Sequence, residues 1–147
     1  MALDVRILWV ASKEEKAILE SICSSPHLLV EEFVPQPKVL LHKNIRCFIT
    51  HGGTGGIQES LLAGKPILCI PFAFDQPYNS SIISLLNAGI RLDKNKVTRK
   101  SVQKSIDELL NNPRYRNSAQ RIMEILSKNE GGEAIINYMN EKILTNH

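Results

Sequence analysis

The sequence predicts an α/β fold built on a doubly wound parallel sheet, on three observations. Short apolar runs alternate along the chain with stretches of helical periodicity, the pattern of strands joined by crossover helices. Residues 45–76 set a strand, a glycine turn, a helix and a second strand in immediate succession. Only short breaks of Pro, Gly, Asn and Ser stand between these elements, with no repeat, low-complexity tract or internal linker in the 147 residues. By length the chain is one domain, with enough sequence to bury a core of its own.

The elements follow in order. Val5 to Val10, interrupted by Arg6, reads as a first strand. Ser12 with Glu15 is a capping-box pattern that starts a helix, and Ala17, Ile18, Leu19 and Ile22 supply its apolar face. Ser24, Ser25 and Pro26 end it, and Leu28 to Val30 open a second strand. Pro35 and Pro37 predict an extended loop through Phe33 to Gln36 rather than a helix. Val39 to Leu41 suggest a single helical turn. Cys47 to Ile49 and Ile67 to Ile70 are short buried strands, with Ile57, Leu61 and Leu62 at helical spacing between them. Pro77 suits a first helical turn, and the helix through Ile82, Ile83, Leu85 and Leu86 is expected to stop at Ala88-Gly89. Ile90 to Leu92 is the last strand. Thr98 caps a helix through Val102, Ile106, Leu109 and Leu110, which Asn111, Asn112 and Pro113 break. Tyr115 to Leu126 is a further amphipathic helix, and a last one is expected after Gly131-Gly132, carrying Ala134, Ile135, Tyr138, Met139 and Ile143.

Composition narrows the function. Hydrophobic residues make up 43% and charged residues 22% of the chain, ordinary for a soluble globular protein. A net charge of +3, with no cluster of Lys and Arg interleaved with aromatics, excludes nucleic acid as a partner. No apolar run reaches the length of a membrane span. The first residues show no basic segment followed by an apolar run, so no leader is expected. Cys23, Cys47 and Cys69 are odd in number and widely spaced, and the four His are scattered. Free thiols, a reducing cytoplasmic setting and no metal site follow as expectations.

The chemistry gathers on the central stretch. Gly52, Gly53, Gly55 and Gly56 let the backbone turn sharply and approach a ligand. A glycine turn entering a helix aims unpaired N–H groups and the positive end of the helix dipole at its guest, for which a phosphate is the natural choice. Glycine turns of this kind also occur for packing alone, so the neighbours decide. His51 stands at the end of one strand, Glu59 about two turns into the helix, and Asp75-Gln76 beyond the end of the next strand. Open α/β sheets bind ligands at these strand ends. A dinucleotide-binding oxidoreductase fits poorly, because Gln58 stands where the third glycine of G-x-G-x-x-G would fall. A hydrolase fits worse, since no G-x-S-x-G occurs.

The same residues resemble the signature of the family 1 glycosyltransferases, in particular the UDP-glucuronosyltransferase-like branch. That pattern runs Phe-(Val/Ile)-Thr-His-x-Gly, then Glu, Gly-x-Pro, Pro and (Asp/Glu)-Gln. It is met by Phe48, Ile49, Thr50, His51, Gly53, Glu59, Gly64, Pro66, Pro71, Asp75 and Gln76. Upstream, Phe33-Val34-Pro35-Gln36, Val39-Leu40 and His42 resemble the family's Trp-x-Pro-Gln-x-x-(Val/Ile)-Leu-x-His. The likeness is strong over residues 33–79 and weaker towards the C-terminus.

The resemblance implies a role for each position. Phe33 stands where an aromatic, usually Trp, stacks on uracil, and Gln36 where the nucleoside edge is read. Glu59 stands where a carboxylate accepts from both ribose hydroxyls, which suits its two acceptor oxygens. His51, with Gly53, Thr54, Gly55 and Gly56, stands where the diphosphate is held, although Thr54 and Gly55 replace an aromatic or Met followed by Asn in many relatives. Asp75 and Gln76 match the pair that contacts sugar hydroxyls. The resemblance implies a Rossmann-like donor-binding domain over residues 1–147, the C-terminal half of a two-domain glycosyltransferase fold. It further implies that the first strand and helix of that domain and the N-terminal acceptor domain lie outside this chain. The family's catalytic base is a His of that other domain, so no catalytic residue, metal or cofactor is expected here beyond the UDP-sugar donor. The expected function is the donor half of transfer from a UDP-sugar of a hexose or hexuronic acid to a hydroxylated acceptor, inactive alone. The alternative is a non-catalytic nucleotide-sugar-binding or regulatory module. An acceptor-domain partner chain is expected, as is self-association through an exposed sheet edge.

Overall fold

A computed structural model describes residues 5–128 together with Asn137 and Glu141. Of the helix expected after Gly131-Gly132, only Asn137 and Glu141 fall among the described residues, and Ala134, Ile135, Tyr138, Met139 and Ile143 lie outside them. The chain divides into two compact units, Met1–Val39 and Leu40–His147. Among the described residues no helix is long and apolar enough to cross a membrane.

The first unit holds β1 (Ile7–Val10), α1 (Lys13–Ile22) and β2 (Leu28–Glu31). The two strands pair in parallel, Ile7 opposite Leu28 and Val10 opposite Glu31, and α1 is the crossover between them. The capping box at its start is formed: Glu15 N–H donates to Ser12 Oγ (3.3 Å), and Ser12 N–H donates back to Glu15 Oε2 (2.8 Å). The apolar face expected of this helix is not buried. No α1 residue is, and Ile18 and Ile22 stand largely in solvent. Within its unit the helix has only a two-stranded sheet to lie against. The loop expected at Gln36 is instead the start of α2 (Gln36–Leu41), inside which the unit boundary falls. Pro37 sits in the first turn, where its missing N–H costs no helical bond. Lys38 and Val39 N–H both donate to the Pro35 carbonyl, at 2.9 and 3.1 Å.

The second unit is built on a parallel sheet in the order β3 (Phe48–Thr50), β4 (Ile67–Cys69), β5 (Gly89–Arg91). Its register places Thr50 opposite Cys69 and Cys69 opposite Arg91. The central strand, Ile-Leu-Cys, is buried at all three positions, as the middle of a sheet covered on both faces must be. Ile67 and Cys69 pack with Ile57 of α3 (Thr54–Leu62), Ile83 of α4 (Gln76–Leu85) and Ile122 of α6 (Pro113–Ser127). Leu68 packs with Leu109 of α5 (Arg99–Asn111) and with Tyr115. Period-2 alternation thus sends two side chains of β4 into one core cluster and one into another, the doubly wound arrangement expected.

Two non-helical devices set the lengths of α3 and α4. Gly64, at φ +64°, closes α3, and Lys65 N–H reaches back to the Ser60 carbonyl at 2.9 Å. Asn87, at φ +53°, closes α4, and Ala88 N–H donates to the Ile83 carbonyl at 3.0 Å. The stop falls one residue before the expected Ala88-Gly89, because Asn also tolerates the left-handed conformation. Gly89 is needed for another reason. A Cβ there would collide with the Ile67 carbonyl of the neighbouring strand. The three cysteines are free thiols, and burial pushes the Cys69 pKa up to about 11.

Candidate functional site

A cluster of polar groups lies beyond the C-terminal ends of β3 and β4. After Thr50 the chain passes through His51 and turns at Gly52, whose φ of +91° is costly for any residue with a Cβ. Gly52 N–H is held by Thr50 Oγ1 at 3.3 Å. A Cβ on Gly52 would lie 3.5 Å from the Gln76 carbonyl, so the turn runs close beside the loop after β4. Gly53 is the N-cap of α3, and no side chain caps this helix. The amides of Thr54, Gly55 and Gly56 therefore open the helix without an internal anion, the arrangement that accepts phosphate or carboxylate from outside. A Cβ added at Gly55 would meet nothing within 4 Å, so the space before this turn is open. The exposed His51 imidazole lies over it, with Nε2 only 2.7 Å from where a Gly53 Cβ would stand.

Asp75 is the N-cap of α4 but does not cap it. Its carboxylate instead reaches across to the glycine turn. Thr54 Oγ1 donates to Asp75 Oδ2 at 2.8 Å, and Asn79 Nδ2 donates to the same oxygen at 2.8 Å. Asn79 Nδ2 also stands 3.2 Å from the Gly52 carbonyl and 3.3 Å from Thr54 Oγ1. These bonds, from Thr54 first and Asn79 second, hold the Asp75 carboxyl below its ordinary pKa, and the nearby His51 adds a smaller electrostatic pull. Asp75 is exposed and ionised at neutral pH, so one of its faces serves the protein and the rest is open to a ligand.

Gln76 is partly committed as well. Its Oε1 accepts from the amides of Phe72 (2.9 Å) and Ala73 (3.1 Å), which leaves the side-chain NH₂ as its outward donor. Lys94 Nζ donates to the Phe72 carbonyl at 2.8 Å and ties down the same loop. Between them sits Phe74, at φ +57° and 94% exposed. A left-handed aromatic costs on the order of 1–3 kcal/mol and persists where its surroundings fix the backbone.

The residues expected at a site are thus placed as follows. His51, Gly53, Thr54, Gly55, Gly56, Asp75 and Gln76 come together at the ends of β3 and β4, with Glu59 half-buried in the second turn of α3. Phe33, 81% exposed, and Gln36, half-buried at the start of α2, belong to the first unit. His42 Nδ1 accepts from Asn44 N–H at 3.2 Å, a local structural bond. Asn79, the hub of the network, was not singled out by sequence reasoning. Its position one turn after Asp75, on the face that looks back at the glycine turn, was the available signal.

Comparison with known proteins supports one family. Residues 3–129 match the family model described as UDP-glucoronosyl and UDP-glucosyl transferase. The chain is 32% identical to UDP-glucuronosyltransferase 2C1 of Oryctolagus cuniculus, over 82% of this chain and 23% of that protein. It is 33% identical to UDP-glycosyltransferase UGT5 of Dactylopius coccus, over 80% of this chain and 21% of that one. In structure it is similar to Os79 from O. sativa, solved in complex with UDP, with a TM-score of 0.75 and 32% identity, over 94% of this chain and 33% of that chain. The chain therefore spans about a quarter of the length of the curated relatives it matches.

Proposed function

The chain belongs to the UDP-glucoronosyl and UDP-glucosyl transferase family, and on that premise we propose that it is the C-terminal, donor-binding part of a UDP-sugar-dependent glycosyltransferase. The observation that carries this reading is the uncapped glycine turn at the start of α3, flanked by His51 and tied to Asp75. The UDP diphosphate lies against the amides of Thr54, Gly55 and Gly56, with the His51 imidazole donating to a phosphate oxygen. Glu59 accepts from the ribose hydroxyls. Asp75 accepts from sugar hydroxyls and Gln76 donates to them through its free NH₂. By the resemblance, Phe33 and Gln36 of the first unit are the candidates for contact with uracil. The UDP bound to Os79 supports this choice of ligand.

The proposal extends to what this chain does not do. Transfer needs an acceptor held opposite the donor and a base on its hydroxyl, and base catalysis alone supplies about 10²–10⁴ in rate. The chain has no catalytic residue of its own and works with an acceptor-binding domain or chain, in the cytoplasm. The half-exposed Ile7, Trp9 and Val10 of β1 support docking of a partner or a second copy at that strand.

The test is calorimetric titration with UDP and UDP-glucose, followed by a transfer assay with labelled donor and a panel of hydroxylated acceptors. Binding without transfer is expected. Failure to bind either nucleotide at millimolar concentration overturns donor binding, and acceptor-dependent turnover by the chain alone overturns the division of labour.

A further inference from the structure

The Asn79 side chain lies where the glycine turn and the Asp75 loop meet, and one nitrogen serves both. Nδ2 stands 2.8 Å from Asp75 Oδ2, 3.2 Å from the Gly52 carbonyl and 3.3 Å from Thr54 Oγ1. An amide nitrogen carries two hydrogens, so it donates to the carboxylate and, at the same time, to the turn. Thr54 Oγ1 spends its own hydrogen on Asp75 Oδ2 at 2.8 Å, which leaves its lone pairs to accept from Asn79. The carboxylate takes one hydrogen, and Thr54 Oγ1 and the Gly52 carbonyl share the other, so Thr54, Asp75 and Asn79 close a triangle beside the backbone of the turn.

We propose that Asn79 is a positioning residue of the donor site. It pins one oxygen of Asp75 so that the carboxylate meets sugar hydroxyls in a single orientation, at a fixed distance from the turn that holds the diphosphate. A carboxylate held by Thr54 alone pivots about that one bond. With the second donor it cannot pivot without breaking a charge-assisted hydrogen bond. Asn79 therefore acts on the sugar end of the donor rather than on the nucleotide, because the Thr54–Asp75 bond and the Gly52–Thr50 bond keep the turn in place without it. The inference rests on the reading of Asp75 as a sugar contact.

The experiment compares unmodified chain, Asn79→Ala and the shape-keeping Asn79→Asp by calorimetry with UDP and with UDP-glucose. A second readout follows the Asp75 carboxyl carbon by NMR through an acid titration. Asn79→Ala is expected to weaken UDP-glucose by about 3- to 10-fold, the loss of one hydrogen-bond contribution, and UDP by less than about 2-fold. The Asp75 titration moves up in Asn79→Ala. It moves further in Asn79→Asp, where two facing carboxylates titrate as a pair. A merely structural role would weaken both ligands equally. Equal weakening, or an Asp75 titration unchanged by either substitution, overturns the inference while leaving donor binding intact. If the unmodified chain binds neither ligand, the reading of the site falls and takes the sugar-end role with it.

Discussion

Among the described residues, four helices surround the β3-β4-β5 sheet, and they begin in two ways. At the start of α5, Ser101 N–H donates to Thr98 Oγ1 at 3.0 Å and Thr98 N–H donates back to Ser101 Oγ at 2.9 Å. At the start of α6, Arg114 N–H donates to Asn112 Oδ1 at 3.1 Å. Helices α3 and α4 follow β3 and β4 directly, and neither is capped by a side chain. At α3 the N-cap is Gly53, which has no side chain to offer. At α4 it is Asp75, a good capping residue whose carboxylate is turned away to Thr54 and Asn79. Capping typically contributes about 1 kcal/mol per helix. That contribution is collected at α5 and α6 and left uncollected at α3 and α4, beside the ends of the strands. The difference is that between a helix start that completes itself and one whose first amides no side chain caps.

The sharpest way to break the comparison is to remove the sheet on which all four helices rest. Gly89→Ala forces a Cβ against the Ile67 carbonyl and Ile83. It is expected to cost at least about 3 kcal/mol, read by urea unfolding, and to remove donor binding with the fold. Glu59→Ala acts on the open side. It should weaken UDP binding by roughly 1–3 kcal/mol in calorimetry while the protein still unfolds cooperatively. Thr98→Ala is its counterpart on the closed side. It should lower stability by about 1 kcal/mol and leave the UDP affinity of the folded chain unchanged. Gly55→Ala separates the two roles within one residue. Ala favours the helix by roughly 0.5–1 kcal/mol, so the unfolding midpoint rises, whereas the new methyl occupies the open space before the turn and UDP affinity falls.

A pH titration gives the smallest effect. The Asp75 pKa is depressed in the folded chain, so its network contributes above the ordinary carboxyl pKa of 3.8 and is lost as pH falls through the lower folded value. Hydrogen exchange at the Gly52–Gly56 amides, relative to the amides of α5, should therefore rise only on the acid side of that range.

The fold was legible because its signals are local. A capping box at Ser12, the glycine run after Thr50 and the apolar triplet Ile67–Cys69 each lie within a few residues, and each forms the element expected. A local rule gives way where it meets its context. Pro35 and Pro37 read as an extended loop, but Pro37 stands in a first turn, where proline is tolerated. The apolar face of α1 forms as read from Ala17, Ile18, Leu19 and Ile22, yet a two-stranded sheet leaves it in solvent. The candidate residues of the turn were legible for the same reason, as a contiguous stretch. The Asn79 bracket was not. It joins residues 25 and 27 positions apart through a side-chain orientation that no periodicity encodes. Gln76 shows the same limit. The resemblance implies a sugar contact for it, while the commitment of its oxygen to Phe72 and Ala73 lies in the loop geometry.

The most direct measurement is an amide NMR titration of the chain with UDP. The open-start account predicts the largest shifts at the amides of Gly52 to Gly56, with Asp75 to Asn79 following through their shared hydrogen bonds, and little change at the capped starts of α5 and α6. Shifts centred on Thr98 to Ser101 or Asn112 to Arg114, or none at the glycine turn at millimolar UDP, would contradict it.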